Sequence, residues 1–213
     1  MPKIFSLYKI LLKEHGDPEK LWPDWCSKNK NVKLRELIAL GAILTQRTSW
    51  RNADIALRNL LKVDLLSLEI IAGISDLTKL TDLIRPAGFY TTKPKRLHAF
   101  SSFVMNNYGG LERMISEDTK LVREKLLKVY GIGPETADTL LLYALDKPSF
   151  VIDEYTKRFV KKYELSVETD NYDSLKEMFE RSLTKDTTLF QNYHALMIVD
   201  AKGKKWSKME KIA

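Results

Sequence analysis

Leu127-Lys128-Val129-Tyr130-Gly131-Ile132-Gly133-Pro134-Glu135-Thr136-Ala137, followed by Asp153 eighteen residues after Glu135, is the stretch that decides how this 213-residue chain is read. Two glycines around one apolar residue allow a sharp turn with outward-pointing backbone N–H groups, and Pro134 suits the first position of a new helix. Amides exposed at a helix start bind phosphate. Taken alone, Gly-Ile-Gly would also mark any tight loop that opens a helix.

The continuation narrows the choice. Ala137, Leu140, Leu141, Ala144 and Leu145 mark one helical face before Lys147-Pro148 interrupts it. The apolar run Phe150-Val151-Ile152 then delivers Asp153, and helical spacing resumes from Glu154 to Lys162. Asp153 stands where an N-cap belongs, and capping alone would account for it. The same placement also holds a carboxylate ionised, as stabilisation of a cationic transition state requires.

The block from about Leu121 to Lys162 resembles the helix-hairpin-helix and catalytic-aspartate pattern of the HhH-GPD superfamily of DNA glycosylases. Two upstream segments are similar as well: Leu37 to Thr48, which contains Gln46, and Ile84 to Lys93, which contains Phe89. The resemblance implies an all-α fold of two helical lobes with an active cleft between them. One lobe would comprise residues 1–25 plus 120–213 and carry both termini and the aspartate; the other, residues 26–119, would form a helical barrel. Asp153 is then the catalytic residue, and Gln46 and Phe89 take the gap-filling and wedging positions beside an extruded nucleotide. Phe89 would serve equally well as core. The hairpin, through Gly131, Ile132, Gly133 and Glu135, would grip DNA backbone, with a monovalent cation as a further option, and Lys93 and Lys204 would add phosphate contacts.

Departures from the family pattern select a branch. Members similar to endonuclease III carry a lysine where this chain has Glu135, and a carboxylate cannot form a Schiff base. Lys128, seven residues earlier, lies across the hairpin. Cys26 is the one cysteine, so neither an intrachain disulfide nor the four-cysteine iron–sulfur loop of other branches can form. No histidine has metal-ligand spacing, and no metal is expected. Trp22, Trp25 and Trp50 fall near the segments expected to line the base pocket, a placement that resembles the cluster-free 3-methyladenine DNA glycosylase III group. Aromatic faces attract a flat cationic base by about 0.5–2 kcal/mol each; ordinary core packing is the competing account of each tryptophan.

The expectation is therefore a monofunctional glycosylase that hydrolyses the bond to an alkylated purine in double-stranded DNA. A glycosylase for an oxidised or mismatched base, a lyase using another lysine, and a non-catalytic DNA-binding hairpin stay open. Composition agrees with a nucleic-acid partner: 35 basic against 28 acidic residues give +7, with basic clusters at 28–35, 93–96, 157–162 and in the tail. With 44% apolar residues the chain can bury a sizeable core. No eighteen-residue apolar run or signal-peptide core is present, so a cytoplasmic protein is expected, nucleoid-associated if prokaryotic; a monomer is expected as well. Helical spacing recurs at 34–46, 52–61, 65–71, 77–84, 94–107, 121–128, 134–145, 154–163, 174–182 and 189–201, with almost no strand-like alternation.

Overall fold

Local capping starts most of the helices. The structure, a computed structural model, describes residues 2–165, 171–203 and 209–212. Helix α1 (Pro2–His15) opens the chain, and Asp17 caps the short α2 (Pro18–Leu21), which has proline at its first position. Asn31 and Ser49 accept backbone N–H groups at the starts of α3 (Val32–Leu44) and α4 (Trp50–Lys62). Helices α5 (Leu68–Gly73) and α6 (Thr78–Ile84) follow, then a tight turn at Arg85–Ala87 and α7 (Lys93–Tyr108), which ends on left-handed Gly109. Next come α8 (Leu111–Ser116), α9 (Thr119–Leu126) capped by Asp118, and α10 (Pro134–Thr139), which widens into a π turn over Leu140–Ala144. Helices α11 (Glu154–Lys162), α12 (Tyr172–Ser182) and α13 (Thr187–Lys202) complete the all-α fold.

Helix α3 is the central post. Eight consecutive residues, Leu37 to Leu44, are buried, so the helix is enclosed on every side. It packs against α4, α7, α8, α10 and the π turn. At the other end of the molecule α1 lies against α12 and α13, and the Tyr193 hydroxyl on α13 donates to the Ile4 carbonyl at 2.8 Å. Phe150 stacks on Phe179 with centroids 4.4 Å apart and meets Phe190 edge-on. The buried apolar side chains of both regions form one connected core. No helix among the described residues is long and apolar enough to cross a membrane.

Spacing in the sequence located ten of these helical stretches to within a few residues, and left α1, α2 and α8 unassigned. One detail corrects the reading of the basic clusters. Lys30 and Arg35 do not offer their charges to a partner: both pair with Asp146, at 2.6 and 2.8 Å, and Arg35 also donates to the Ala144 carbonyl. Lys204 and the aromatic of the basic tail, Trp206, lie outside the described residues.

Asp138, unassigned in the sequence, is the polar rivet of the hairpin region. Its carboxylate is fully buried and accepts two N–H groups from Arg123 at 2.9 and 3.0 Å, plus hydroxyls of Ser149 and Tyr172 at 2.5 and 2.8 Å. These bonds join α9, α10 and α12 to the segment that leads into Asp153. Removing one partner of a buried charge pair leaves the other uncompensated and costs about 3–5 kcal/mol. Asp138→Ala is expected to lower stability by about 3 kcal/mol or more in denaturant unfolding; an unchanged midpoint would show that the network contributes nothing.

Candidate active site

Val151 and Ile152 are buried and anchor the extended segment before α11, which fixes where Asp153 emerges. Asp153 has extended backbone, and its Oδ1 accepts the Thr156 N–H at 2.7 Å while its carbonyl accepts that of Lys157. The helix cap seen in the sequence therefore forms. Burial pushes the Asp153 carboxyl up, but the nearby His194 ring and the Thr156 amide and hydroxyl outweigh it, so the pKa falls below the ordinary aspartate value.

Asp153 borders a cavity of about 620 Å³. The three tryptophans meet in its wall: Trp25 lies edge-on to Trp50 at 5.1 Å, and Trp22 is tilted against Trp50 at 6.5 Å. Core packing and pocket lining are not alternatives here, because Trp22 and Trp25 are 7% and 5% exposed yet both contribute to the cavity surface. Gly41 on α3 makes this possible, since a Cβ there would come within 3.3 Å of both Trp25 and Leu57. The π turn carries Tyr143 into the same wall, edge-on to Trp25 at 5.2 Å. A π turn offsets the side chains that follow it, and such turns recur at functional sites.

Glu135 lines the cavity, in addition to standing at the hairpin. Burial first, and the charge of Asp153 second, raise its pKa; His194 and Lys157 act in the opposite direction. Tyr143, His194, Lys202 and Arg47 line the cavity and were not singled out in the sequence. His194 on α13 lies with Nε2 3.4 Å from Asp153 Oδ2. Lys202, at the end of α13, has its pKa lowered by burial against the opposing pull of Asp153. Arg47 follows Gln46 with φ +54°, a left-handed conformation that side chains adopt only under constraint. His194 and Lys202 lie 41 and 49 residues beyond Asp153, and no local spacing links them to it.

Residues 40–185 match the HhH-GPD superfamily base excision DNA repair protein family. The chain belongs to the HhH-GPD superfamily. It is 44% identical over 201 residues to Methanocaldococcus jannaschii MJ1434, named as a candidate DNA repair glycosylase, a match covering 93% of this chain and 87% of the relative. Among solved structures it superimposes on the H. pylori 3-methyladenine DNA glycosylase MagIII, bound to 1,N6-ethenoadenine, with TM-score 0.78, 31% identity and coverage of 98% and 99%. A non-covalent endonuclease III–DNA complex shares the fold with TM-score 0.71 at 17% identity, covering 93% of this chain and 84% of that one. The protein is a DNA glycosylase of base excision repair.

The remaining expected residues of this HhH-GPD glycosylase flank the cavity and the hairpin. Phe89 is not core: it is 51% exposed and held at φ +49°. Gln46 bridges to the hairpin, donating to the Gly131 carbonyl and the Thr136 hydroxyl at 2.9 Å each while Arg96 donates to its Oε1. Gly131 must be glycine, because φ is +82° and a Cβ would fall 2.5 Å from Arg96 Cγ. Ile132 corrects one expectation: its N–H is spent on the Val129 carbonyl and its side chain is buried, so it anchors the turn rather than offering an amide.

Lys93 corrects another. Its side chain is fully buried, and its ammonium donates to the Leu44 and Ala87 carbonyls at 2.7 Å each. Burial, with a smaller contribution from Arg96, lowers its pKa to about 8. It ties the end of α3, just before Gln46, to the loop that presents Phe89, and is no phosphate contact. Losing a phosphate contact reduces the salt slope of DNA affinity by about one. Lys93→Met is expected to leave that slope unchanged while weakening binding to lesion-containing duplex; a slope reduced by one would restore the phosphate role.

Proposed function

We propose that this enzyme is a monofunctional glycosylase for alkylated purines, releasing a 3-methyladenine-like base and leaving an abasic site in an uncut strand. The observation that carries the reading is the juxtaposition of three tryptophans and Tyr143 with an ionised Asp153 around one cavity. A purine methylated at N3 or N7 is a flat cation, and aromatic faces hold it by stacking and cation–π attraction. Its glycosidic bond is already weakened, so strong general acid catalysis is not needed. The name and the bound ethenoadenine of the H. pylori relative support the same substrate class.

In this account the hairpin turn around Gly131 and Gly133, with the amide of Glu135, grips the backbone near the lesion, and Gln46 and Phe89 hold the gap. Extruding the nucleotide costs a few kcal/mol, least for a damaged base. Trp22, Trp25 and Trp50 receive the base. As the bond from C1′ to the base nitrogen breaks, its electron pair leaves with the base, and the sugar gains positive charge facing Asp153. A water oxygen then bonds to C1′, and its proton passes to the Asp153 carboxylate and on to solvent. Glu135 supplies no amine for covalent attack.

Lys202 supports a second reading, because it brings an amine with a lowered pKa to the cavity that holds Asp153. Such an amine is the group that a lyase step would use. Single-turnover assays on methylated duplex separate the two. The expected outcome is release of methylated purine, loss of about 10²-fold or more in Asp153→Asn, no strand scission and no borohydride-trapped adduct. A trapped adduct that disappears in Lys202→Gln would establish the lyase instead; absence of methylated-base release would refute the alkylpurine assignment.

A further inference from the structure

Trp22 and Trp25 stand on the turns that join α2 to α3, where no helix ladder fixes the backbone. Residues 209–212 cross this stretch and bond it at two points. The Met209 N–H donates to the Leu21 carbonyl at 3.2 Å, one residue before Trp22. The Ile212 N–H donates to Asp24 Oδ2 at 2.9 Å, one residue before Trp25. Met209 and Ile212 bury their side chains, and Asp24 is itself only 3% exposed. On its other side the segment meets α4, where Arg58 donates to the Lys211 carbonyl at 3.2 Å and lies 3.9 Å from Glu210. Trp50 is the first residue of that helix. One short segment therefore touches the carriers of all three cavity tryptophans.

We propose that Asp24 and residues 209–212 form a brace that sets the spacing of Trp22 and Trp25 against Trp50, and so positions the rings that receive the damaged base. This rests on the base-pocket reading of the cavity and extends it to residues that do not line it. Apolar contact alone lets a segment slide, whereas two directed bonds fix its register. Neither buried partner can be lost quietly: an Ile212 amide or an Asp24 carboxylate left unpaired away from water has to shift toward another partner. Burial raises the Asp24 pKa, and the Ile212 amide leads the groups that oppose it, ahead of Lys211 and Arg58. Asp24 does not touch the base and acts through the two tryptophans, as a positioning residue. Stacking and cation–π attraction both depend on ring geometry, so a displaced ring weakens its hold on the base.

The test compares Asp24→Asn, Asp24→Ala, Ile212→Pro and the double variant Asp24→Ala/Ile212→Pro in the full chain. Asparagine keeps an acceptor oxygen, alanine removes it, and proline removes the N–H donor while staying apolar. Single-turnover release from methylated duplex at saturating enzyme is expected to slow roughly 10–100-fold in Asp24→Ala and in Ile212→Pro, and to stay near wild type in Asp24→Asn. The double variant is expected to be no slower than the slower single, because both changes break one bond. Affinity for an abasic-analogue duplex, which places no base in the pocket, is expected to stay within about twofold. Unchanged release in Asp24→Ala and Ile212→Pro overturns the proposal, as does release falling in step with abasic-duplex affinity, which marks a general loss of structure. If Asp24→Ala does not fold, Ile212→Pro carries the same comparison.

A second arm needs no substrate. Acrylamide quenching of tryptophan emission, in a Trp206→Phe background that leaves the three cavity rings, is expected to rise in Asp24→Ala and Ile212→Pro but not in Asp24→Asn. Equal quenching in all four proteins overturns the brace. A wild type that releases no methylated base refutes the substrate reading instead, and the quenching arm still decides whether the segment holds the rings.

Discussion

An ionised carboxylate must be kept in a cavity walled by aromatic rings, and the rest of the site depends on how that is done. Burial alone pushes the Asp153 carboxyl toward the neutral acid, which gives a cationic sugar little support. The chain opposes burial with local devices: the start of α11, the Thr156 amide and hydroxyl, and the His194 ring. A carboxylate at a helix start gains about 0.3–1 kcal/mol from the dipole, and up to about 2 in partly buried sites. These supports act through short contacts, so the segment that leads into Asp153 has to be held in place. Val151 and Ile152 anchor it in the core, and Phe150 stacks on α12 while its amide donates to Glu180.

The parts proposed to face DNA are coupled to this frame by buried polar contacts. Arg96 packs where Gly131 leaves room and bonds Gln46, which in turn bonds the hairpin. Lys93 binds the carbonyls on either side of the cleft rim. The backbone conformations of Arg47 and Phe89, both left-handed without glycine, cost of order 1–3 kcal/mol each. Asp64, Asp146 and Glu164 share such a conformation, and in the proposed reading Arg47 and Phe89 are the ones that adjoin the gap and wedge positions. A side chain presented from a strained, anchored loop loses less freedom when it enters the gap than one on a slack loop.

What the sequence revealed was what neighbours along the chain determine. Capping is local, so Asp153 at the start of α11 was legible, as were the hairpin turn and the period of α3, α4 and α13. Phe89 in a turn and three tryptophans near the early helix were also readable, although only the fold brings Trp22, Trp25 and Trp50 into contact. Lysines misled, because a lysine in a basic cluster looks like a surface charge, whereas Lys93, Lys30 and Arg35 are consumed by carbonyls and by Asp146. Pairings across long stretches of chain were not legible: nothing near His194 in sequence announces Asp153, and nothing near Asp138 announces Arg123. The apolar spacing of Ile4, Leu7 and Leu11 suffices for helix α1, which packs on α13.

The most direct measurement of the central claim compares affinity for duplexes carrying a cationic pyrrolidine in place of the sugar and a neutral tetrahydrofuran, in the wild type and in Asp153→Asn. Groups complementary to a transition state bind its analogues at least about 10²-fold more tightly. If an ionised Asp153 stabilises the developing cation, the wild type prefers the cationic analogue by a factor of that order, and Asp153→Asn loses the preference while keeping its affinity for the neutral one. Equal preference in both proteins would contradict the account.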